Sequence, residues 1–123
     1  MAFLTDRKRA SGLGSAKTGT EHHWHMMVTS VALCGLVPLF VFTFGSALGG
    51  SYDEVVAYYS QPFPAIIAIL TFLTGFIHFK SGVQVLIEDY VHGFWRKALI
   101  MMMICLSYTA AAVGIFAVAR LAL

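Results

Sequence analysis

Residues 61–79 read QPFPAIIAILTFLTGFIHF, with no charged side chain among them. As a helix rising 1.5 Å per residue, such a run covers most of the roughly 30 Å of hydrocarbon in a bilayer. Two further runs, 26–48 and 98–119, are equally free of charge. Each is close to the ~20 residues that a membrane-crossing helix needs. The middle run can continue a couple of turns, through Ile87. Composition points the same way: 59% of residues are hydrophobic, 11% are charged, and the mean hydropathy is +0.78, outside the range of an ordinary soluble domain. The expected architecture is an all-α membrane protein with three transmembrane helices, at about 24–48, 63–88 and 97–121. A tail over residues 1–21 precedes a single anchor domain over residues 22–123.

Charge placement sets the expected orientation. Arg7, Lys8, Arg9 and Lys17 precede the first run, and Arg96 and Lys97 lie between the second and third. The connection 49–60 has Asp53 and Glu54 and no basic residue. The positive-inside rule therefore places the N-terminus and the second connection in the cytoplasm, with the C-terminus on the opposite side. The net charge of +2 is accounted for by this distribution and calls for no nucleic-acid partner. The first run is longer than a signal-peptide core and is preceded by a long polar segment, so the tail reads as part of the mature chain. Cys34 and Cys105 fall inside apolar runs and read as small packing residues. No internal repeat is visible. Three spans with almost no soluble mass describe a subunit of something larger.

Further features bear on local structure. Pro38 sits midway along the first helix, where it removes a backbone donor. Pro62 and Pro64 suit the first turn of the second helix. Tyr52, Tyr58 and Tyr59 suit an interfacial turn in the first connection.

His78 stands near the end of the middle apolar run. On a continuous helix at 100° per residue, Asp89 lies within ~20° of it and roughly 16 Å further along the axis. Gly82, four residues on, leaves room beside the imidazole for a flat group. A neutral imidazole nitrogen there could hold haem iron. The commoner use of such a histidine is a hydrogen bond to a neighbouring helix. No other histidine is deep in an apolar run, so a second axial ligand would come from another subunit. Glu88 and Asp89 oppose the helix macrodipole at a cost of some tenths of a kcal/mol each. For Glu88 the expected resolution is an ion cluster with Arg96, Lys97 or Lys80. Asp89 beside Tyr90 offers a carboxylate and a phenol at headgroup depth, able to donate to a quinone carbonyl and relay protons. Tyrosine is also an ordinary interfacial residue. His22, His23 and His25 do not share one helix face and lack a completing Cys or carboxylate, which argues against zinc. They could meet anionic groups at the interface.

The stretch HFKSGVQVLIEDYVH, 78–92, resembles the second-helix signature of the smaller, D-type membrane anchor of succinate dehydrogenase (respiratory complex II): His, Gly four residues on, then Asp-Tyr, here His78, Gly82, Asp89 and Tyr90. GLGSAKTGTEHHWHMMVTSVAL, entering helix one, resembles the same family. The His-Arg pair of the C-type anchor is absent. The resemblance implies an anchor subunit of succinate:quinone oxidoreductase in a bacterial cytoplasmic (inner) membrane, or, less closely, the mitochondrial one. It would take part in electron transport and the tricarboxylic acid cycle. His78 would be an axial ligand of haem b iron, shared with a C-type cytochrome b anchor. Tyr90 and Asp89 would serve the ubiquinone site. FAD and iron–sulfur clusters would sit in the flavoprotein and iron–sulfur partner subunits. The anchor of a fumarate reductase is the near alternative, and a small non-haem scaffold or transport subunit the distant one. Family members often carry an arginine near the haem propionates where this sequence has Met27; His22 and His25 are the substitutes on offer.

Overall fold

Helices account for nearly all of the computed structural model, which describes residues 4–14 and 17–123. A short helix α1 (Asp6–Ser11) and one 3₁₀ turn (Lys17–Thr20) lead into α2 (Glu21–Ala47). After α2 come α3 (Tyr52–Tyr59), α4 (Pro62–Tyr90) and α5 (Gly93–Ala122). The tail expected over residues 1–21 lies partly outside the described residues. Within them α1 is fully exposed, with Thr5 accepting from the Lys8 N–H as its cap.

Three helices are long and apolar enough to cross a membrane: α2, α4 and α5. Each extends beyond its uncharged run, because a helix satisfies its own backbone and continues into the headgroup layer at little cost. Thus α5 begins at Gly93, ahead of the Arg96-Lys97 pair expected to open it. Pro38 lies inside α2, and the helix continues through it. Lacking its N–H, Pro38 leaves the Cys34 carbonyl without its usual helical donor.

Turn chemistry fixes the two connections. Gly49, at φ +84°, takes the left-handed conformation that ends α2. Ser51 and Glu54 then form a capping box for α3: the Ser51 N–H donates to Glu54 Oε2 at 2.7 Å, and the Glu54 N–H donates to Ser51 Oγ at 3.4 Å. The Ser51 hydroxyl also donates to Glu54 Oε2, at 3.0 Å, and these two bonds to the carboxylate hold it below its ordinary pKa, the backbone bond from Ser51 more than the hydroxyl bond. Pro62 opens α4 as its first residue, where a missing donor costs nothing. Only Val91 and His92 separate α4 from α5, and Gly93 makes the turn at φ +70°.

Packing follows a 3–4 spacing. In α2 the residues that lose exposure are Met26, Thr29, Leu33, Leu36, Phe40, Thr43 and Ala47, one narrow stripe with every other α2 position exposed. In α5 the corresponding stripe runs Ile100, Ile104, Ser107, Ala111, Gly114, Val118 and Leu121. Both stripes meet α4, which packs against each, while the backbones of α2 and α5 stay apart. The central helix therefore organises the fold.

The best-buried cluster lies at the α3 end: Tyr59, Ala65, Ala68 and Val118, with Phe40 and Phe72 against it. Burial raises the pKa of Tyr59, with a smaller push from Tyr58. Small residues let the helices close in. At Gly114 an added Cβ would sit 3.2 Å from the Phe72 ring. Ser107, 3% exposed in the α5 stripe, has a hydroxyl with no partner among the described residues.

Candidate functional site

His78 lies on α4, half-buried and turned toward α2. Its Nδ1 is 2.9 Å from Oγ1 of Thr29. That hydroxyl oxygen is also 3.0 Å from the carbonyl oxygens of His25 and of Met26, one turn back along α2. The two helices are brought together by the α2 stripe, in which Thr29 is the polar member nearest the basic end. His22 and His25 share the Thr29 face of α2, within ~20° and ~40° of it in azimuth. Both are exposed, and His25 pairs loosely with Glu21 at 3.9 Å.

The protons can be counted. Thr29 has one hydroxyl proton, and carbonyl oxygens can only accept. If that proton goes to His25 or Met26, the Thr29 oxygen is free to accept the Nδ1 proton of His78, and every donor is satisfied. The reverse tautomer would carry its proton on Nε2, which has no acceptor among the described residues. The favoured arrangement leaves a lone pair on Nε2, the state in which imidazole binds a metal.

Space beside the ring is open. Gly75 and Gly82 lie three residues before and four after His78, flanking it on its own face. A Cβ added at either would meet nothing within 4 Å. Next to this strip runs an apolar groove of about 270 Å³ lined by Thr71, Phe72, Gly75, Phe76 and Phe79. His78 is not part of its lining. A free ring nitrogen, glycines on either side and apolar walls fit one face of a haem. Among the described residues no three His, Cys, Asp or Glu side chains converge as a metal site. The remaining histidines, His22, His23, His25 and His92, are all exposed at the ends of helices. Among the described residues His78 therefore stands without a second histidine beside it.

Asp89 and Tyr90 form the last turn of α4 and face outward, Tyr90 at 79% exposure. Neither has a hydrogen-bond or ionic partner among the described residues. Asp89 keeps the His78 azimuth because α4 is continuous, whereas Tyr90 points ~120° away from it. The ion cluster expected around Glu88 does not form. Glu88 instead accepts from the Gln84 side-chain amide at 3.0 Å, one turn back, which satisfies it locally. Lys80 lies 5.8 Å from the ring centroid of Tyr108 on α5, a cation–π contact. Arg96 and Lys97 are exposed. The residue that sequence reading missed is Thr29, whose only signal was a polar side chain in an otherwise apolar 3–4 stripe.

Comparison with known proteins adds to this geometry. Residues 2–117 match the family described as succinate dehydrogenase/fumarate reductase transmembrane subunit. A succinate dehydrogenase hydrophobic membrane anchor subunit of Paracoccus denitrificans is 42% identical over the whole chain and 95% of its own length. Its counterpart from Rickettsia conorii is 32% identical over 72% of this chain and 71% of its own. A succinate dehydrogenase membrane anchor subunit of Reclinomonas americana is 29% identical over 63% and 67% respectively. No solved structure gives a significant match. With three apolar helices and these relatives, the chain belongs to the family of succinate dehydrogenase/fumarate reductase transmembrane subunits.

Proposed function

We propose that the protein is the D-type anchor of a succinate:quinone oxidoreductase in a bacterial cytoplasmic membrane, with its basic end toward the cytoplasm. It would pair with a C-type anchor to hold a b-type haem, and help dock flavoprotein and iron–sulfur subunits carrying FAD and the clusters. The observation that carries the haem assignment is the Thr29–His78 hydrogen bond, which leaves Nε2 with a lone pair beside the gap at Gly75 and Gly82. A haem bound there supplies a site that takes up and returns one electron at a time.

The protein's own residues would orient and protonate. His78 offers Nε2, and the glycines keep the approach clear. At the C-terminal end of the same helix, Tyr90 would donate its phenolic proton in a hydrogen bond to a ubiquinone carbonyl. Asp89, exposed to the cytoplasm, would pass protons toward the reduced oxygens. Full reduction of one quinone takes two electrons, delivered from the partner subunits, and two protons, for which Asp89 is the entry point. The exposure of both side chains suits a pocket that partner subunits complete. His22 and His25, at the N-terminal end of α2, are the available contacts for propionates. The direction of physiological turnover, toward quinol or toward fumarate, depends on potentials in the other subunits.

The test uses a tagged protein purified gently from its native membranes. Soluble-sized flavin and iron–sulfur subunits should co-purify. Tyr90→Phe should slow ubiquinone reduction about tenfold, the equivalent of one hydrogen bond of ~1.4 kcal/mol, while sparing succinate oxidation by a soluble dye. Equal loss of both activities would count against the quinone role. Purification without large partners would count against the anchor role.

A further inference from the structure

We propose that Thr29 is the positioning residue of His78, fixing its tautomer and ring rotation and setting the donor strength of Nε2. This inference rests on the reading of His78 as an axial ligand.

The bond at 2.9 Å joins residues 49 apart in sequence, so it spans the α2–α4 contact. The Thr29 oxygen is in turn anchored by two carbonyl oxygens at 3.0 Å, those of His25 and Met26. A hydroxyl that donates to a carbonyl becomes a better acceptor, because consecutive hydrogen bonds polarise one another. The relay from Nδ1–H to the Thr29 hydroxyl and on to a backbone carbonyl therefore draws the Nδ1 proton toward Thr29 and pushes electron density to Nε2. Metal-bound histidines regularly donate their second N–H in this way, and loss of the acceptor typically costs about 10–100-fold in metal affinity. Gly75 and Gly82 bring no side chain to brace the ring. The hydrogen bond from α2 restrains its rotation about χ1 and χ2. A stronger donor stabilises ferric over ferrous iron, so Thr29 holds the haem potential down.

Three variants in the intact purified complex test this. Thr29→Val keeps the shape and removes the acceptor, Thr29→Ser keeps the acceptor, and Thr29→Ala stands in should the valine variant fail to assemble. The readouts are haem content, midpoint potential by redox titration, and the g values of the oxidised haem in electron paramagnetic resonance. The valine or alanine variant should show an upward shift in potential and altered g values, or lose haem outright. The serine variant should match the wild type in all three. Wild-type potential and g values in a haem-replete valine variant would overturn the proposal. Serine behaving like valine would overturn it as well. Failure of the underlying reading looks different: a wild-type complex without haem, or a His78→Ala complex with an unchanged haem spectrum.

Discussion

The tightest glycine contact among the described residues leads to a quantitative prediction at Gly114. A Cβ there would approach Cγ of Phe72 at 3.2 Å and its two ortho carbons at 3.3 and 3.4 Å, short of ordinary van der Waals separation. The ring cannot easily swing away. It meets Phe40 of α2 edge-on, centroids 5.9 Å apart, and stacks on Phe76, centroids 6.4 Å apart. One ring thus joins α2, α4 and α5 at a level where α2 and α5 have no backbone contact of their own. Gly114→Leu forces α5 off α4 or breaks the aromatic contacts. Overpacking of this kind costs about 1–3 kcal/mol. Each displaced aromatic pair adds about 0.5–1.5 kcal/mol. With both aromatic pairs displaced, we expect a net loss of ~2–6 kcal/mol by these two effects together. Gly35, on the exposed side of α2, is the control, because a Cβ there meets nothing within 4 Å. The assay is denaturation of the purified complex in mixed micelles against rising sodium dodecyl sulfate. Gly114→Leu should unfold at clearly lower detergent fraction than Gly35→Leu. Equal stability of the two would refute the claim that the Phe72–Gly114 contact sets the distance between α4 and α5.

Gly82→Leu should behave in the opposite sense to Gly114→Leu. Its Cβ has open space, so the protein should accumulate normally while haem content falls; full haem occupancy would show that the strip beside His78 is not used. The α3 capping box should be pH-dependent. Because the Glu54 pKa is lowered in the folded state, its contribution is present above the unfolded value of about 4.3 and is lost as pH falls through the folded one. Amide exchange in Tyr52–Tyr59, corrected for intrinsic rates, should speed up over that acid range, and Glu54→Gln should remove the dependence. Exchange unchanged by acid in the parent protein would refute the cap.

The membrane class was legible because hydrocarbon imposes a length. Three uncharged runs of ~20 residues left few alternatives. Helix ends were less legible, since the headgroup layer tolerates charge: α5 carries Arg96 and Lys97 inside its first turns rather than starting at them. The capping box was written in the sequence as Ser51 and Glu54 three apart, a signal overshadowed by the three tyrosines of the same connection. His78 stood out as an ionisable residue in an apolar run, yet its partner could not be read off. Thr29 is 49 residues away, and only the register between α2 and α4 brings the two together. The ion cluster around Glu88 failed for a local reason, because Gln84 one turn back satisfies the carboxylate before any distant cation does.

The central claim is that His78 presents Nε2 to a haem iron. The most direct measurement is the reduced-minus-oxidised absorbance spectrum of the native complex, wild type beside His78→Ala, normalised to flavin. The account predicts a b-type haem signal in the wild type that is lost or shifted in the variant. A b-type signal of unchanged position and amplitude in His78→Ala would contradict it.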